Sequence, residues 1–230
     1  MAAQPHRKQE DASGVDTLSE RAAILVEQDI ISGQLAPGAR LGIVDLVNRY
    51  DIGATPLREG LSRLVSRGLI VGIGQRGFRV AEVSRDDLLD ITRMRTVVEM
   101  EALQLAIANG DDAWEAGILG TLHQMRRYID RHTADFREGA PDFDRIHKAF
   151  HTALLAACAS KRLLTAHSDL YDQAYRYRRV MMRGFDSGKK FVAAHQGLAD
   201  KVLARDVTGA QAMLRGHLAS TLQYVYPDGE

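Results

Sequence analysis

The sequence predicts a mainly α-helical protein in which a small winged helix-turn-helix unit precedes an all-helical bundle. Residues 18–83 contain three short helical patterns, followed by two β-prone runs around a glycine turn. From residue 84 onward apolar residues recur at helical spacing, and no alternating strand pattern interrupts them. A length of 230 residues allows two modest domains. We therefore expect two units, 18–83 and 84–230, after a disordered polar lead-in over residues 1–17.

The composition excludes several classes of protein. The formal net charge is +0, which argues against a general polyanion binder but allows a local basic surface. The single cysteine, Cys158, excludes an internal disulfide and fits a reducing compartment. No apolar run approaches the roughly 20 residues that a membrane helix needs, and the polar start lacks the apolar region of a signal peptide. We expect a cytoplasmic protein without membrane contact.

Turn residues and apolar spacing define the three helices of the first unit. The first helix is expected over Ser19–Ser32 and the second over Ile43–Arg49. A hydroxyl N-cap at Thr55, followed by proline at the first helical position, predicts a third helix over Pro56–Arg67. Gly68 is expected to end it.

A hairpin should follow the third helix. The β-prone runs Leu69–Ile73 and Phe78–Val83 are joined by the turn Gly74–Gly77. Three helices and a hairpin make a winged helix-turn-helix. Arg58 and Arg63 face outward on the third helix, and arginine suits phosphates and guanine edges. The alternative is a solvated helix face, because acidic residues nearly balance the arginines of this unit.

The second unit should be a bundle of about six helices. Ser84 resembles the start of a capping box, Asp111 and Asp142 can cap the next two helices, and Ser160 and Asp206 can open later ones. The expected helices are 84–109, 111–133, 142–159, 160–182, 190–204 and 206–226, with loops at 138–141 and 184–188. Such an arrangement is typical of a helical bundle.

Several strings resemble known families. The first unit is similar to the GntR superfamily of bacterial repressors in the strings Ile31–Gly38, Thr55–Leu61, Gly68–Ile70 and Gly77–Val80. The second unit resembles the all-helical, ligand-binding FCD domain of the FadR subfamily through Arg95-x-x-x-Glu99, Phe150-His151, His195 and His217. Within that subfamily, the strings 75–81, 154–158 and 170–173 resemble a carbon-starvation repressor branch, one member of which responds to glutarate.

The resemblance implies that the protein binds double-stranded operator DNA. In the family the third helix enters the major groove and the wing tip probes the minor groove. By position, Thr55 and Arg58 would contact DNA near the helix start, and Arg76 and Gly77 would lie at the wing tip. One small module buries too little surface for strong specific binding, so a homodimer on two half-sites is expected.

Two positions depart from the family pattern. Ala54 stands where members often have an arginine, and Val44 stands where a basic residue is common in the second helix. Either Arg63 and Arg49 supply the missing contacts, or specificity depends more on DNA shape.

Histidines in the second unit suggest a metal site. His147 and His151 are four residues apart and share a helix face, while His195 and His217 lie on later helices. Imidazole nitrogens suit zinc and other late divalent transition metals. Spacing alone is weak evidence, because most helical histidines are surface or satisfied core residues. No role is assigned to the remaining four, His6, His123, His132 and His167.

The family resemblance strengthens this hypothesis. Metal-binding members use an aspartate four residues before the Phe-His histidine, together with three histidines. His147 takes the place of that aspartate, and His151, His195 and His217 match the rest. We expect these four residues to bind a divalent metal, zinc first, with nickel or manganese as alternatives. Asp144 is an alternative ligand, although helical rotation places it less well.

Two groups of arginines have more than one interpretation. Arg95 lies on a mostly apolar stretch, and a buried arginine requires an anion. That anion is either Glu99, one turn away, or the carboxylate of an effector. A basic run interleaved with tyrosines is expected to be a solvated face or a dimer contact, with one member possible in the pocket; its arginines are Arg176, Arg178, Arg179 and Arg183.

The function predicted from these features is that of a metabolite-responsive repressor. A small carboxylate, such as the dicarboxylate glutarate, would bind Arg95 and the metal and release the operator. One alternative is a metal-dependent hydrolase, although no H-E-x-x-H arrangement is present. The other is a DNA-binding dimer whose bundle is purely structural.

Overall fold

A computed structural model describes residues 17–132, 140–181 and 188–227. Its first part is the winged unit, a set of three short helices and three short strands. In chain order these are α1 (Leu18–Ile31), β1 (Arg40–Leu41), α2 (Ile43–Tyr50), α3 (Ala54–Ser66), β2 (Ile70–Gly72) and β3 (Phe78–Val80). The predicted disorder of residues 1–17 lies outside the described residues, except at Thr17, which caps α1 in a reciprocal capping box with Glu20.

The third helix begins earlier than the sequence predicts. Asp51 adopts a left-handed conformation at φ 52°, and the chain enters α3 at Ala54 with Gly53 as the N-cap. Thr55 is therefore not the cap, and that prediction is wrong. Pro56 becomes the third helical residue, a position where the missing backbone N–H would have no helical partner. Gly68 follows the helix at φ 69°, a left-handed ending that favours glycine.

The wing is a three-stranded antiparallel sheet with the order β1-β3-β2. Arg40 pairs with Arg79, and Ile70 pairs with Val80. Both predicted hairpin strands exist but are shorter than expected. The sequence analysis missed β1, because two residues show no alternation that could reveal a strand.

The core of the winged unit lies where α1 and α3 cross. Leu57, Leu61 and Leu64 of α3 are fully buried against α1 residues such as Val26. Gly60 allows this close approach, since a Cβ there would lie 2.8 Å from a backbone oxygen of α1. The crossing therefore fixes how α3 is presented on the surface.

Six helices form the bundle in the part of the chain that the structure describes. They are α4 (Arg85–Asn109), α5 (Asp112–Arg131), α6 (Pro141–Leu155), α7 (Lys161–Met181), α8 (Gly188–Leu203) and α9 (Val207–Val225). No helix within the described ranges is long and apolar enough to cross a membrane.

The helix ends of the bundle mostly follow the predicted caps. The side chains of Ser84, Asp111 and Asp206 each accept a hydrogen bond from a backbone N–H of the following turn. Asp142 is not a cap, because α6 begins at Pro141, one residue earlier. That helix also ends earlier, at Leu155, and a short 3-10 turn (156–158) follows it. The predicted loops 138–141 and 184–188 lie largely outside the described residues.

One large apolar core fills the bundle and surrounds the histidine-bearing helices. It includes Phe143 and Phe150 of α6, Phe191 of α8 and Leu218 of α9. Trp114 of α5 packs at its edge and donates its indole N–H to the Ala153 carbonyl at 2.9 Å. These contacts hold the inner faces of α6, α8 and α9 toward one another.

Helix α7 is buried on two sides, which the sequence analysis did not anticipate. Arg176 and Arg178 are only 2% and 3% exposed, so the prediction of a solvated face is wrong for both. The side chain of Arg179 and the whole of Arg183 lie outside the described residues. Arg176 reaches the winged unit and donates to the Ala81 carbonyl at 3.0 Å. Tyr177 accepts from the Ser84 N–H at 3.1 Å and donates to Asp87 at 2.5 Å. Helix α7 therefore lies between the winged unit and the bundle core.

Candidate functional site

Four imidazoles converge inside the bundle. His147 and His151 come from α6, His195 from α8 and His217 from α9. The Nε2 atom of His147 lies 2.9 Å from Nε2 of His195 and 3.0 Å from Nε2 of His151. One ring nitrogen from each of the four lies within 4.8 Å of the others. Zinc–nitrogen bonds of about 2.0–2.1 Å in a tetrahedron need nitrogens roughly 3.3 Å apart, so small shifts would let the cluster hold a metal ion.

Burial keeps these imidazoles uncharged. It lowers the pKa values of His147, His151 and His217 well below the ordinary value, and charges of neighbouring histidines and arginines lower them further. Burial lowers the pKa of His195 to about 4. The neutral imidazole is the form that binds a metal ion. The cluster is therefore in its ligating protonation state at neutral pH.

Hydrogen bonds outside the cluster set the orientation of two rings. His195 Nδ1 lies 2.7 Å from the Phe191 carbonyl, which accepts its proton and leaves the Nε2 lone pair free to face the cluster. His147 differs, because its Nδ1 faces both the Tyr171 hydroxyl and Nη1 of Arg178 at 3.1 Å. A guanidinium only donates, so this contact places the proton of His147 on Nε2. Ligation through Nε2 requires that proton to move to Nδ1, where the Tyr171 oxygen can accept it.

Asp144 supports the cluster from behind Tyr171. Its Oδ1 accepts from the Tyr171 hydroxyl at 3.0 Å and lies 3.7 Å from Nη2 of Arg178. Burial raises the pKa of Asp144 to about 6. Among the described residues, Asp144 is not in the group of side chains that converge on one point. Its contacts orient Tyr171, which in turn contacts His147.

A second buried polar group borders the histidines. Arg95 donates from Nε to Glu99 at 2.7 Å, so the ion pair that the sequence analysis offered as one alternative is present. Burial alone would raise the pKa of Glu99, but Arg95 and His167 hold it below its usual range. Both Arg95 and Arg178 lie over the Tyr171 ring, at 5.3 and 4.8 Å from its centroid. Two guanidinium groups therefore border the same tyrosine.

The sequence analysis missed His167. This residue is completely buried on α7, and its Nδ1 lies 3.2 Å from Glu99. Neither ring nitrogen makes a hydrogen bond with the described residues, and Glu99 Oε2 is also unpaired there. His167 and Tyr171 are four residues apart on one helix face, which was the available sequence signal.

The candidate DNA-contacting residues differ in exposure and in whether they already have an ion-pair partner. Thr55 and Arg58 are exposed at the start of α3, and Arg58 has no ion pair within the described ranges. Arg76 is exposed at the wing tip, beside Gly77 at φ 96°. The exposed Val44 of α2 offers no charge at all.

The other two arginines already have carboxylate partners. Nη1 of Arg63 lies 3.4 Å from Glu20, in an exposed pair. Nη2 of Arg49 lies 2.5 Å from Asp29, which also accepts from the Tyr50 hydroxyl. Arg58 and Arg76 are therefore the freer of the predicted DNA-binding arginines.

Both units match known protein families. Residues 18–80 match the family described as bacterial regulatory proteins, gntR family. Residues 90–220 match the FCD domain.

Related proteins align over most of the chain. The HTH-type transcriptional repressor GlaR of Escherichia coli K12 is 37% identical over 205 residues, which cover 87% of this chain and 92% of GlaR. The HTH-type transcriptional regulator BphR of Paraburkholderia xenovorans LB400 is 34% identical over 220 residues, or 94% of this chain and 90% of BphR.

Solved structures share the fold. E. coli McbR/YncC superposes with a TM-score of 0.78 at 20% identity, covering 94% of this chain and all of McbR. A GntR regulator from Rhodococcus sp. RHA1 gives a TM-score of 0.69 at 22% identity, over 91% and 98% of the two chains. The order of a winged unit and a helical bundle is thus common to all of these proteins. The chain belongs to the GntR family of bacterial transcriptional regulators, with an FCD domain as its second unit.

Proposed function

We propose that this regulator is a repressor that binds double-stranded operator DNA as a homodimer and leaves it when a small carboxylate binds in the bundle. The observation that carries the proposal is the convergence of four neutral imidazoles in the core of a domain joined to a winged helix. Its relative GlaR is a transcriptional repressor, which supports repression as the sign of regulation. Residues 18–83 are proposed as the DNA-binding unit and residues 84–230 as the unit that binds the effector and the metal. The proposed location is the cytoplasm, where a bacterial regulator meets the chromosome.

The proposed metal centre consists of His147, His151, His195 and His217. Zinc is the first candidate because it prefers imidazole nitrogen, and nickel and manganese are the alternatives. When bound, the cation would supply an electrophilic centre for a carboxylate oxygen. Four neutral ligands leave the charge of the cation undiminished, which favours an anionic effector over a neutral one.

The proposed effector is a small carboxylate, with glutarate as the first dicarboxylate to test. Arg95 is its proposed partner, because a guanidinium can receive a carboxylate through two parallel hydrogen bonds. The Arg95–Glu99 pair is buried, so the effector must compete with Glu99 or use the remaining guanidinium nitrogens. Arg178, on the same tyrosine, offers a second cationic group for the other end of a dicarboxylate.

On the DNA side, Thr55 and Arg58 are proposed to contact the major groove, and Arg76 and Gly77 the minor groove. Arg63 and Arg49 would contribute only by exchanging their carboxylate partners for phosphate. Ligand binding shifts DNA affinity only if the effector binds two arrangements of the dimer unequally. A coupling of about 1–3 kcal/mol between the two sites is ordinary for such proteins.

Membership of a family of regulators removes the hydrolase alternative. A DNA-binding dimer with a purely structural bundle remains the alternative to test. In that case the imidazoles would be core residues and would bind neither metal nor effector.

The decisive experiment begins by selecting a binding site from randomised duplex DNA with the full chain. Operator affinity is then measured for metal-free protein, with Zn²⁺, and with Zn²⁺ plus glutarate or shorter and longer dicarboxylates. His151→Ala should lose bound zinc and the dicarboxylate response, whereas His123→Ala, at an exposed position, should keep both. Arg58→Ala should lose operator affinity, whereas Arg162→Ala, at an exposed position of α7, should not. If the wild-type protein binds no zinc and its operator complex does not respond to any dicarboxylate, the alternative of a purely structural bundle is favoured.

A further inference from the structure

The residue that caps the end of the third helix points toward the bundle. Arg67, the C-cap of α3, extends its guanidinium to three carboxylates on two helices. Its Nη1 lies 2.5 Å from Glu27 of α1, its Nε 2.7 Å from Asp169 of α7, and its Nη2 2.8 Å from Asp172 of α7. Every side of the guanidinium fork is thus occupied. Arg67 is the arginine of this helix that ties the winged unit to the bundle.

Asp172 continues this contact toward the histidines. It is 5% exposed, and its second oxygen accepts from Nζ of Lys148 at 2.6 Å. Lys148 follows His147 directly on α6, so it shares the backbone of a candidate metal ligand. A continuous series of contacts therefore runs from His147 through Lys148 and Asp172 to Arg67 at the end of α3.

Backbone contacts at Arg67 and Gly68 also hold the end of α3 against α7. Gln173 of α7 donates to the backbone oxygen of Arg67 at 2.8 Å. Gly68 leaves room for that amide, since a Cβ there would lie 2.9 Å from its nitrogen. The end of α3 is thus bound through its side chain and its backbone to two successive residues of α7.

Carboxylates outnumber cations in this set of contacts. Three carboxylates, Glu27, Asp169 and Asp172, face two cations, Arg67 and Lys148. If Lys148 withdraws, one guanidinium faces three carboxylates and Asp172 loses the partner of its second oxygen. Buried ion pairs add little net stability compared with apolar contacts, but their geometry is directional. Such a group is suited to fixing an orientation.

We propose that these five residues form an interdomain ion cluster that fixes the direction of α3 relative to the bundle and passes the state of the histidine cluster to it through Lys148. The second part rests on the proposed metal site, whereas the first part does not. A shift of α6 that accompanies ligation by His147 moves Lys148 with it. The Asp172–Arg67 pair then adjusts, and the recognition helices of a dimer change their separation.

The test measures a distance across the two units in the full chain. Spin labels are attached at Val44→Cys on α2 and Leu119→Cys on α5, both exposed, while the native Cys158 is buried. The backgrounds compared are the parent, Asp172→Asn, Lys148→Met and the control Lys161→Met, which removes an exposed lysine of α7. Distances are recorded without metal and with Zn²⁺ alone.

In the metal-free state, Asp172→Asn should broaden the distance distribution, and Lys161→Met should match the parent. An unchanged distribution in Asp172→Asn, and likewise in Arg67→Met, overturns the ion cluster as an orienting device. This arm needs no metal, so it decides the first part even if the parent protein fails to bind zinc.

With Zn²⁺, the parent and Lys161→Met should shift to a new distance, and Lys148→Met should lose that shift. The zinc affinity of Lys148→Met should fall by less than the roughly tenfold loss that is expected when a hydrogen-bond partner of a metal ligand is removed. A full shift in Lys148→Met, or a zinc-loaded parent without any shift, overturns the transmission step. A parent without bound zinc overturns that step together with the proposed metal site.

Discussion

Acid should destabilise the metal-free protein through its buried histidines. His195 has a folded-state pKa of about 4, whereas an unfolded chain restores the ordinary value of 6.5. Between these two values the unfolded chain binds more protons, so the free energy of unfolding falls as pH falls. The loss begins below about pH 6.5 and is complete below about pH 4.

The magnitude follows from 1.36 kcal/mol per pKa unit. His195 alone should cost about 2 kcal/mol near pH 5 and about 3 kcal/mol once the pH is below its folded-state pKa. His147, His151 and His217 act in the same direction. Asp144 opposes them by about 1 kcal/mol near pH 5, because its raised pKa of about 6 lets the folded state take up a proton first. The net effect is a loss of stability.

The assay is urea unfolding of chelator-treated protein at a series of pH values from 8 to 5, roughly the window in which the imidazoles of the unfolded chain titrate. The His195→Gln variant removes one titrating group, so its loss between these limits should be smaller than that of the wild type by about 2 kcal/mol. His123→Gln, at an exposed position, should match the wild type. Equal pH dependence in wild type and His195→Gln would refute the reasoning, since the buried ring would then not carry the depressed pKa.

Four further predictions concern helix packing, the contacts of Tyr177 with the start of α4, metal binding and DNA binding. Gly60→Ala should lower the free energy of unfolding by about 1–3 kcal/mol through overpacking against α1. Gly117→Ala, in open space on α5, should raise it by up to about 1 kcal/mol. Urea midpoints measure both changes. Tyr177→Phe should cost about 0.5–1.5 kcal/mol in the same assay, because a backbone N–H and a carboxylate on exposed residues lose their partner. Zn²⁺ should raise the thermal midpoint of the wild type but not of His151→Ala. The log–log salt dependence of operator binding should become shallower by about 1 in Arg58→Ala.

Each of these outcomes has a contradicting result. Equal midpoints for the two glycine variants would mean that the helix crossing tolerates a methyl group. A neutral Tyr177→Phe would mean that water replaces the hydroxyl. A zinc-stabilised His151→Ala would place the metal elsewhere, and an unchanged salt slope would remove Arg58 from the phosphate contacts.

Local features of the fold could be predicted because their causes are local. The caps at Ser84, Asp111 and Asp206 depend on a side chain meeting a backbone N–H three residues away. The left-handed ending at Gly68 depends on one residue. Where the turn itself was unusual the prediction failed, since the left-handed Asp51 moved the start of α3 ahead of Thr55.

The order of the units, the helical periodicity and the His147–His151 pair were therefore readable from the chain alone, because backbone geometry converts short spacings directly into shared faces. Residue spacing alone could not show that His195, 48 residues away, would face His147, and only the family resemblance indicated it. Nothing in the sequence indicated that Arg67 would meet Asp172 across 105 residues. Those contacts depend on how whole helices pack, and packing is decided by apolar surfaces that many sequences share. The same packing buried His167 and also Arg178, whose residue type predicts exposure when considered singly.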